Sequence, residues 1–353
     1  MKKLLWALCA VMLLTMSACK KDNPEPENIP GGGNGGGSNP PTQMPTGDGV
    51  FNPAQRLISI AIDGTTSEEW AWDNDVLTTI MTADDNGNMV ESSWFEYDNY
   101  RLTSTTGTLE GMPVEVSYTY NGDKLSLVSV YSGPMEVMNV VPTRNAAGKV
   151  NHLTMNINET LLAMLSQLFI DGIPDILGKM QPAKGTGKFG IDNTAFAADL
   201  TWQGNNVSQL VFNAQISGSV TLAEIRQMVN IDSLIGTYAS MLSYLSDTTP
   251  LPLTVTMADT ASYIYDNQHN PFYGFLGAFD PTNLSANNPT EITNRGTATL
   301  TLTLDLGFMQ LPLTFPYPMG NTTETRSYTY NAAGFPLTFT DGEGSVTQYT
   351  YQQ

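Results

Sequence analysis

"YTYNAAGFPLTFTDGEGSVTQYTY", residues 328–351, decides how this chain is read. Tyr328 and Tyr330 alternate with polar residues, Asn331 and Gly334 interrupt, and Phe335, Leu337 and Phe339 resume the alternation. Asp341 to Gly344 break the chain again before Tyr349 and Tyr351. Side chains two apart on a strand share one face, so each Tyr-x-Tyr pair packs along one side of a sheet. Asn, Asp and Gly supply the left-handed backbone that tight turns need. The stretch therefore reads as a hairpin module, a unit of construction rather than a binding motif.

Degenerate copies recur along the chain. "WAWDNDVL" carries Trp70, Trp72, Asp73 and Leu77; "WFEYDNYRL" carries Tyr97, Asp98 and Leu102; "YTYNGDKL" carries Tyr118, Tyr120, Asn121 and Leu125. "LTWQGNNV", with Trp202 and Val207, and "YIYDNQHNPF", with Tyr263, Tyr265 and Asp266, are cryptic copies. The steps from Trp72 to Tyr97 and from Tyr97 to Tyr120 are 25 and 23 residues, which fits two strands and two turns per unit. "ADDNGN" (83–88) and "TDGEG" (340–344) provide the opposite turns, and Asn86-Gly87 is a strong hairpin signal.

Two stretches break the period. In "NETLLAMLSQLFIDGIPDILGKM", Leu161, Leu162, Leu165, Leu168 and Phe169 fall at helical spacing. "TLAEIRQMVNIDSLIGTYASMLSYL" opens with Thr221 and Glu224 at capping-box spacing and carries a Met-rich apolar stripe. Helices are expected near 159–180 and 221–245, packed on the sheet or plugging its concave side. The fold class expected is mainly β: a strongly curved antiparallel sheet or open barrel of repeated hairpins, with two inserted helices.

The amino terminus reads as an address. "MKKLLWALCAVMLLTMSAC" has two lysines, an apolar run from Leu4 to about Met16, and small residues before Cys19. That is the layout of a secretory signal, and the run is short for a membrane span. "MSAC" resembles a bacterial lipobox, although Met16 stands where lipoboxes usually carry Leu. Under that resemblance Cys19 is the lipid attachment site and first mature residue; otherwise the signal is an ordinary cleaved one with a chance Cys. Residues 1–18 are thus the signal peptide. Residues 19–48, rich in Pro, Gly and Asn, form a flexible tether too poor in apolar side chains to offset its ordering entropy. Residues 49–353 form the antiparallel β domain. Lys20 after the Cys resembles the pattern that directs lipoproteins to the outer membrane, and Asp22, Glu25 and Glu27 resemble a surface-export flank.

The net charge of −19, from 34 acidic and 15 basic residues, argues against nucleic acid and against anionic lipid surfaces. Both cysteines, Cys9 and Cys19, lie in the leader, so a disulfide framework, a thiolate zinc site or a thiol nucleophile is excluded from the folded part. There are two histidines, His152 and His269, and no HExxH, GxSxG, Walker or dinucleotide motif in context. Glu68/Glu69 and Asp84/Asp85 are carboxylate pairs, but neighbours on a strand face opposite ways and turn acids are solvated. Asp84, Asn86, Asn88 and Glu91 offer oxygen ligands for calcium, which a hairpin turn explains equally well. No cofactor and no metal is implied. The exposed-aromatic reading offers the best ligand hint: Trp70, Trp72, Trp94, Tyr97, Tyr118, Tyr120 and Trp202 are candidate stacking platforms for sugars, against the alternative of cross-strand packing.

The terminal repeat resembles the tyrosine–aspartate repeats of Rhs-type proteins. Together with the lipobox and "NPFYGFLGAFDPTNLSANNPTEIT" (270–293), it resembles a Bacteroidota lipoprotein family of unknown function, domain of unknown function 4595, described as porin-like. The resemblance covers about residue 55 to the end. It implies a curved antiparallel sheet or open barrel filled by helices, and no activity. The expectation is a non-enzymatic, monomeric cell-envelope lipoprotein, a binding or interaction module at the outer membrane. Its partners are the membrane through the lipid anchor and a glycan or envelope protein. The alternative is a structural envelope component without a small ligand, and a distant third is a glycan hydrolase. An open concave aromatic face favours the binder; a filled one favours the structural part.

Overall fold

The computed structural model describes residues 46–84, 86–109, 112–159, 161, 190–223, 245–277, 280–305 and 309–352. Strands account for 69% of the structure, and every ladder is antiparallel. Contacts divide the chain into two compact units. Among the described residues, the first comprises 46–135 with Asp266–Asn288 and 326–352; the second comprises Glu136–Tyr265 and Pro289–Thr325.

In the first unit, β1 (Leu57–Ile62), β2 (Thr65–Asp73), β3 (Val76–Ala83), β4 (Met89–Asp98), β5 (Arg101–Leu109), β6 (Met112–Asn121) and β7 (Lys124–Ser132) run up and down, each paired with the next. The chain ends supply the rest. β15 (Ser327–Tyr330), β16 (Pro336–Thr340) and β17 (Val346–Tyr351) pair in turn, and β17 joins β1 with Ile60 opposite Tyr349. The second unit holds β8 (Met135–Arg144), β9 (Val150–Ile157), β10 (Gly190–Gln203), β11 (Asn206–Thr221), β12 (Pro250–Tyr265), β13 (Pro289–Asp305) and β14 (Gln310–Thr325), again each paired with the next. In neither unit, taken by itself, does the described pairing return to its first strand.

The turns follow the predicted chemistry. Asn74-Asp75 and Asn99-Tyr100 have positive φ at both central positions (44° and 77°; 48° and 65°), the twist that two-residue hairpins favour. At the other strand ends, Asp84, Asn145, Asn331 and Asp341 each turn the chain by accepting backbone amides two and four residues ahead through Oδ1.

The two inserted helices are not supported as complete elements: among the described residues only 159, 161, 222 and 223 have α-helical backbone. Most of 159–180 and 221–245 lies outside them. What is described at their starts is specific. The Asn158 side chain accepts the Leu161 amide at 2.9 Å, a helix-capping bond. Thr221, expected as a cap, ends β11 opposite Pro250, and helical backbone begins directly after it at 222 and 223.

Residues 266–288 fill the inner face of the first unit. Phe275, 1% exposed, contacts the rings of Phe51, Trp70 and Phe95 at 5.0, 5.3 and 5.6 Å. Phe272 adds contacts to Trp70 and Tyr349 at 5.7 and 6.2 Å. The loop is tied by its own asparagines. Asn270 donates to the carbonyls of Thr282 and Ser285 and accepts the Phe272 amide; Asn288 donates to Asp266 and His269. Both are buried, so saturating their amides avoids a large desolvation cost. Gly277 has no room for a side chain, since a Cβ would lie 2.4 Å from the Phe275 ring.

Candidate functional site

The aromatic residues singled out in the sequence are placed by one recurring device. The second aromatic of a module follows a β-bulge: register shifts fall between Ala71 and Trp72, Thr119 and Tyr120, Thr201 and Trp202, and Ile264 and Tyr265. A bulge re-aims the side chain. Here it turns the ring back over the preceding strand, where its polar tip donates to a backbone carbonyl at that strand's start. Trp72 Nε1 reaches Leu57 O at 2.7 Å, Tyr120 OH reaches Leu102 O at 2.7 Å, and Trp202 Nε1 reaches Val150 O at 2.7 Å. Tyr265 and Tyr351 hydroxyls do the same to Val207 and Pro336, each at 2.8 Å. In three cases the residue before that carbonyl is basic and covers the ring: Arg56 on Trp72 at 5.6 Å, Arg101 on Tyr120 at 5.1 Å and Lys149 on Trp202 at 4.9 Å.

The aromatics are therefore not gathered into one platform. Trp70 is 3% exposed beneath Phe272 and Phe275, and its Nε1 donates to Glu68 at 3.0 Å. Burial raises the Glu68 carboxyl above its ordinary range, partly countered by that indole bond. Trp72 stacks on Phe51 at 5.7 Å. Tyr97 is half-buried beside Tyr118 and Tyr120, and burial pushes its phenol up. Tyr118 is buried; its hydroxyl donates to Leu276 O at 3.1 Å, and burial pushes it up to about 12. Trp94 alone among the seven tryptophan and tyrosine site candidates is exposed, at 38%, with Nε1 held by Glu91 at 3.1 Å. Trp202 is half-buried under Lys149. The acids proposed for calcium instead serve their own turn: the Asp84 carboxylate accepts from Asn86 and Asn88. Cys19 lies outside the described residues.

The second unit carries a cavity that the sequence reading passed over. A trough of about 630 Å³ crosses β9, β10, β11, β12 and β13, a size typical of ligand pockets. Strand alternation explains its lining. Met155, Phe196, Ala214, Met257 and Ala298 take the buried face. Their neighbours therefore face the other way: Thr154 and Asn156, Ala195 and Ala197, Asn213 and Gln215, Thr256 and Ala258, and Thr297 and Thr299. The register sets these in rows. One runs Thr154–Ala197–Asn213–Ala258–Thr297; the next runs Ala195–Gln215–Thr256–Thr299. Small alanines beside the amides leave the space that makes the trough.

The chemistry of this lining is neutral. It contains no Asp, Glu, Lys or Arg, on a chain with net charge −19. His152 is its one titratable side chain, and its Nδ1 lies 2.7 Å from Asp199 Oδ1. The carboxylate is the acceptor of this bond and the ring nitrogen its donor. At the β8 side, Asn156 donates to Asn139, which donates to Glu136, at 2.8 and 2.7 Å. The chain matches no protein-family model and no curated protein. The trough was legible only in retrospect, as alternating Ala, Thr, Asn and Gln in "NTAFAAD", "VFNAQIS" and "LTVTMAD". That pattern is also what any solvated sheet face displays.

Proposed function

We propose that this protein is a non-enzymatic binding module of the cell envelope, and that the trough of the second unit is where it binds. The trough itself carries the reading: a ligand-sized concavity lined by hydrogen-bonding side chains from five strands. Rigid strands hold such groups in fixed array at little entropic cost on binding. His152 and Asp199 form a dyad without an activated nucleophile beside it among the described residues, which favours binding over catalysis. The lipobox-like "MSAC" and the Pro/Gly-rich tether support delivery of the module to the outer membrane on a lipid at Cys19.

Two measurements test this. Cys19→Ala is expected to move the protein from the membrane fraction to the soluble one; unchanged fractionation ends the anchor reading. Ala197→Trp places a large ring in the trough. The full-length parent is expected to be retained on immobilised envelope polysaccharide or envelope protein and the variant is not; equal retention would falsify the trough as the binding site. The structural-component reading draws on the first unit, whose inner aromatic face is occupied by its own loop.

A further inference from the structure

Resting on the trough as the binding site, we infer that its ligand is an uncharged, polyhydroxylated chain, a neutral oligosaccharide, lying across the strands, with Asn213 and Gln215 as the residues that select it. Three observations lead there. First, the lining itself holds no Asp, Glu, Lys or Arg, and the Asp199 carboxylate at its edge is already paired with His152, so a charged ligand gains little to replace its lost hydration. Second, amide and hydroxyl side chains each both donate and accept, the property shared by every hydroxyl of a sugar. The Asn213 side chain has no hydrogen-bond partner among the described residues, and Ala197 and Ala258 flank it on the neighbouring strands, so its amide stands clear of competing groups. Gln215 lies one row away, between Ala195 and Thr256, with its amide nitrogen in a long 3.4 Å bond to Ser217 Oγ and its carbonyl oxygen open. Third, the trough spans five strands, about 20 Å at the usual strand spacing. That length suits several linked sugar rings. A peptide laid across the strands cannot add to the sheet, whose ladder bonds run within it, and would find neither charges nor apolar pockets for its side chains.

The alanine methyl groups complete the fit. They offer a low apolar floor to the C–H faces of a sugar without the bulk of an aromatic platform. Around it, the Asn156 side-chain carbonyl oxygen is an acceptor at one end of the rows, since its Nδ2 is engaged with Asn139.

The test uses the full-length protein against neutral probes (laminari-, malto-, cello-, xylo- and manno-oligosaccharides) and anionic ones (oligogalacturonate and heparin oligosaccharides). Binding to at least one neutral series is expected. Asn213→Ala with Gln215→Ala is expected to weaken it by roughly tenfold or more, since two hydrogen bonds are lost. Both positions are exposed, so the melting temperature stays that of the parent and separates lost recognition from lost folding. Ala197→Trp blocks the same binding. If anionic probes bind and Ala197→Trp blocks them, the ligand class is wrong while the trough remains a binding site. If a probe binds and Ala197→Trp leaves it untouched, the trough is not the site. Failure of every neutral probe overturns the inference outright.

Discussion

The two units are built from the same hairpin and end up with opposite uses of it. In the first, the inner face carries Trp70, Phe95, Tyr118 and Tyr349, and the 266–288 loop drives Phe272, Phe275 and Leu276 into them. In the second, the face that bears the trough carries Thr, Asn, Gln and Ala. Large aromatics bury much area and ask for a partner; short neutral polar side chains ask for none and stay open. The difference teaches that the aromatic signature of the module marks where this protein packs against itself. The place to seek a ligand is where the aromatics are absent.

The largest effect expected from breaking this contrast is at the plug. Phe275→Ala removes a ring in contact with three others and is expected to cost roughly 3 to 5 kcal/mol. That is a large share of the roughly 5 to 15 kcal/mol of a typical domain. Denaturant unfolding measures it directly. If Phe275→Ala unfolds like the parent, the loop is decoration and the inner face is a candidate ligand site after all.

The hairpins themselves were legible because their signals are local: alternation and left-handed turn residues need only near neighbours. The plug was not. "NPFYGFLGAFDPTNLSANNP" reads as a loop with loose aromatics, and nothing in it says which of the strands it will cover. Asn270 and Asn288 were visible as turn residues, but their satisfied burial depends on carbonyls brought near by the fold. The clamp, a bulged aromatic held by a carbonyl at the preceding strand's start and by its basic neighbour, was half visible. Aromatic-x-aromatic pairs stand out, whereas the basic-aliphatic pairs Arg56-Leu57, Arg101-Leu102 and Lys149-Val150 matter only once strand order is known. The identical Asn-Ala-Ala-Gly at 145–148 and 331–334 is a plain repeat without the aromatic signature, because Arg144 stands where the tyrosine would be.

The clamp is the feature both units share, so it tests the common origin of their architecture with a medium-sized effect. Trp72→Phe and Trp202→Phe keep a ring but remove the indole donor to Leu57 O or Val150 O. Each is expected to lower stability by roughly 0.5 to 1.5 kcal/mol. Arg56→Gln and Lys149→Gln remove the cation over the ring and are expected to cost about 0.5 to 1 kcal/mol each. Similar losses in the two units sharpen the comparison, since the divergence then lies in the faces and not in the hairpin. A loss confined to one unit would mean that the geometry recurs without recurring energetics.

The smallest effect expected concerns a single acceptor oxygen. Asp84 and Asp341 turn the chain with the same bonds that Asn145 and Asn331 use, and Gly87, Gly148, Gly334 and Gly344 follow three residues on with φ of 80°, 77°, 82° and 92°. Asp and Asn serve alike because one oxygen takes both amides; they differ in that Asp titrates. The Asn88 amide, aided by the Asn88 side chain and by Asn86, holds the Asp84 carboxyl below its ordinary value of 3.8. A depressed folded value means that the carboxylate's contribution is full above the unfolded value and is lost as pH falls through the folded one. Asp84→Asn keeps the turn but lacks that contribution at every pH. The variant is therefore expected to melt slightly below the parent at neutral pH, with the gap closing as the solution is acidified below about pH 4. Melting curves of the two proteins across the acid range decide it. A gap that stays constant with pH would show that the amides of this turn do not favour the charged form, and that the four turns are alike in energetics as well as in shape.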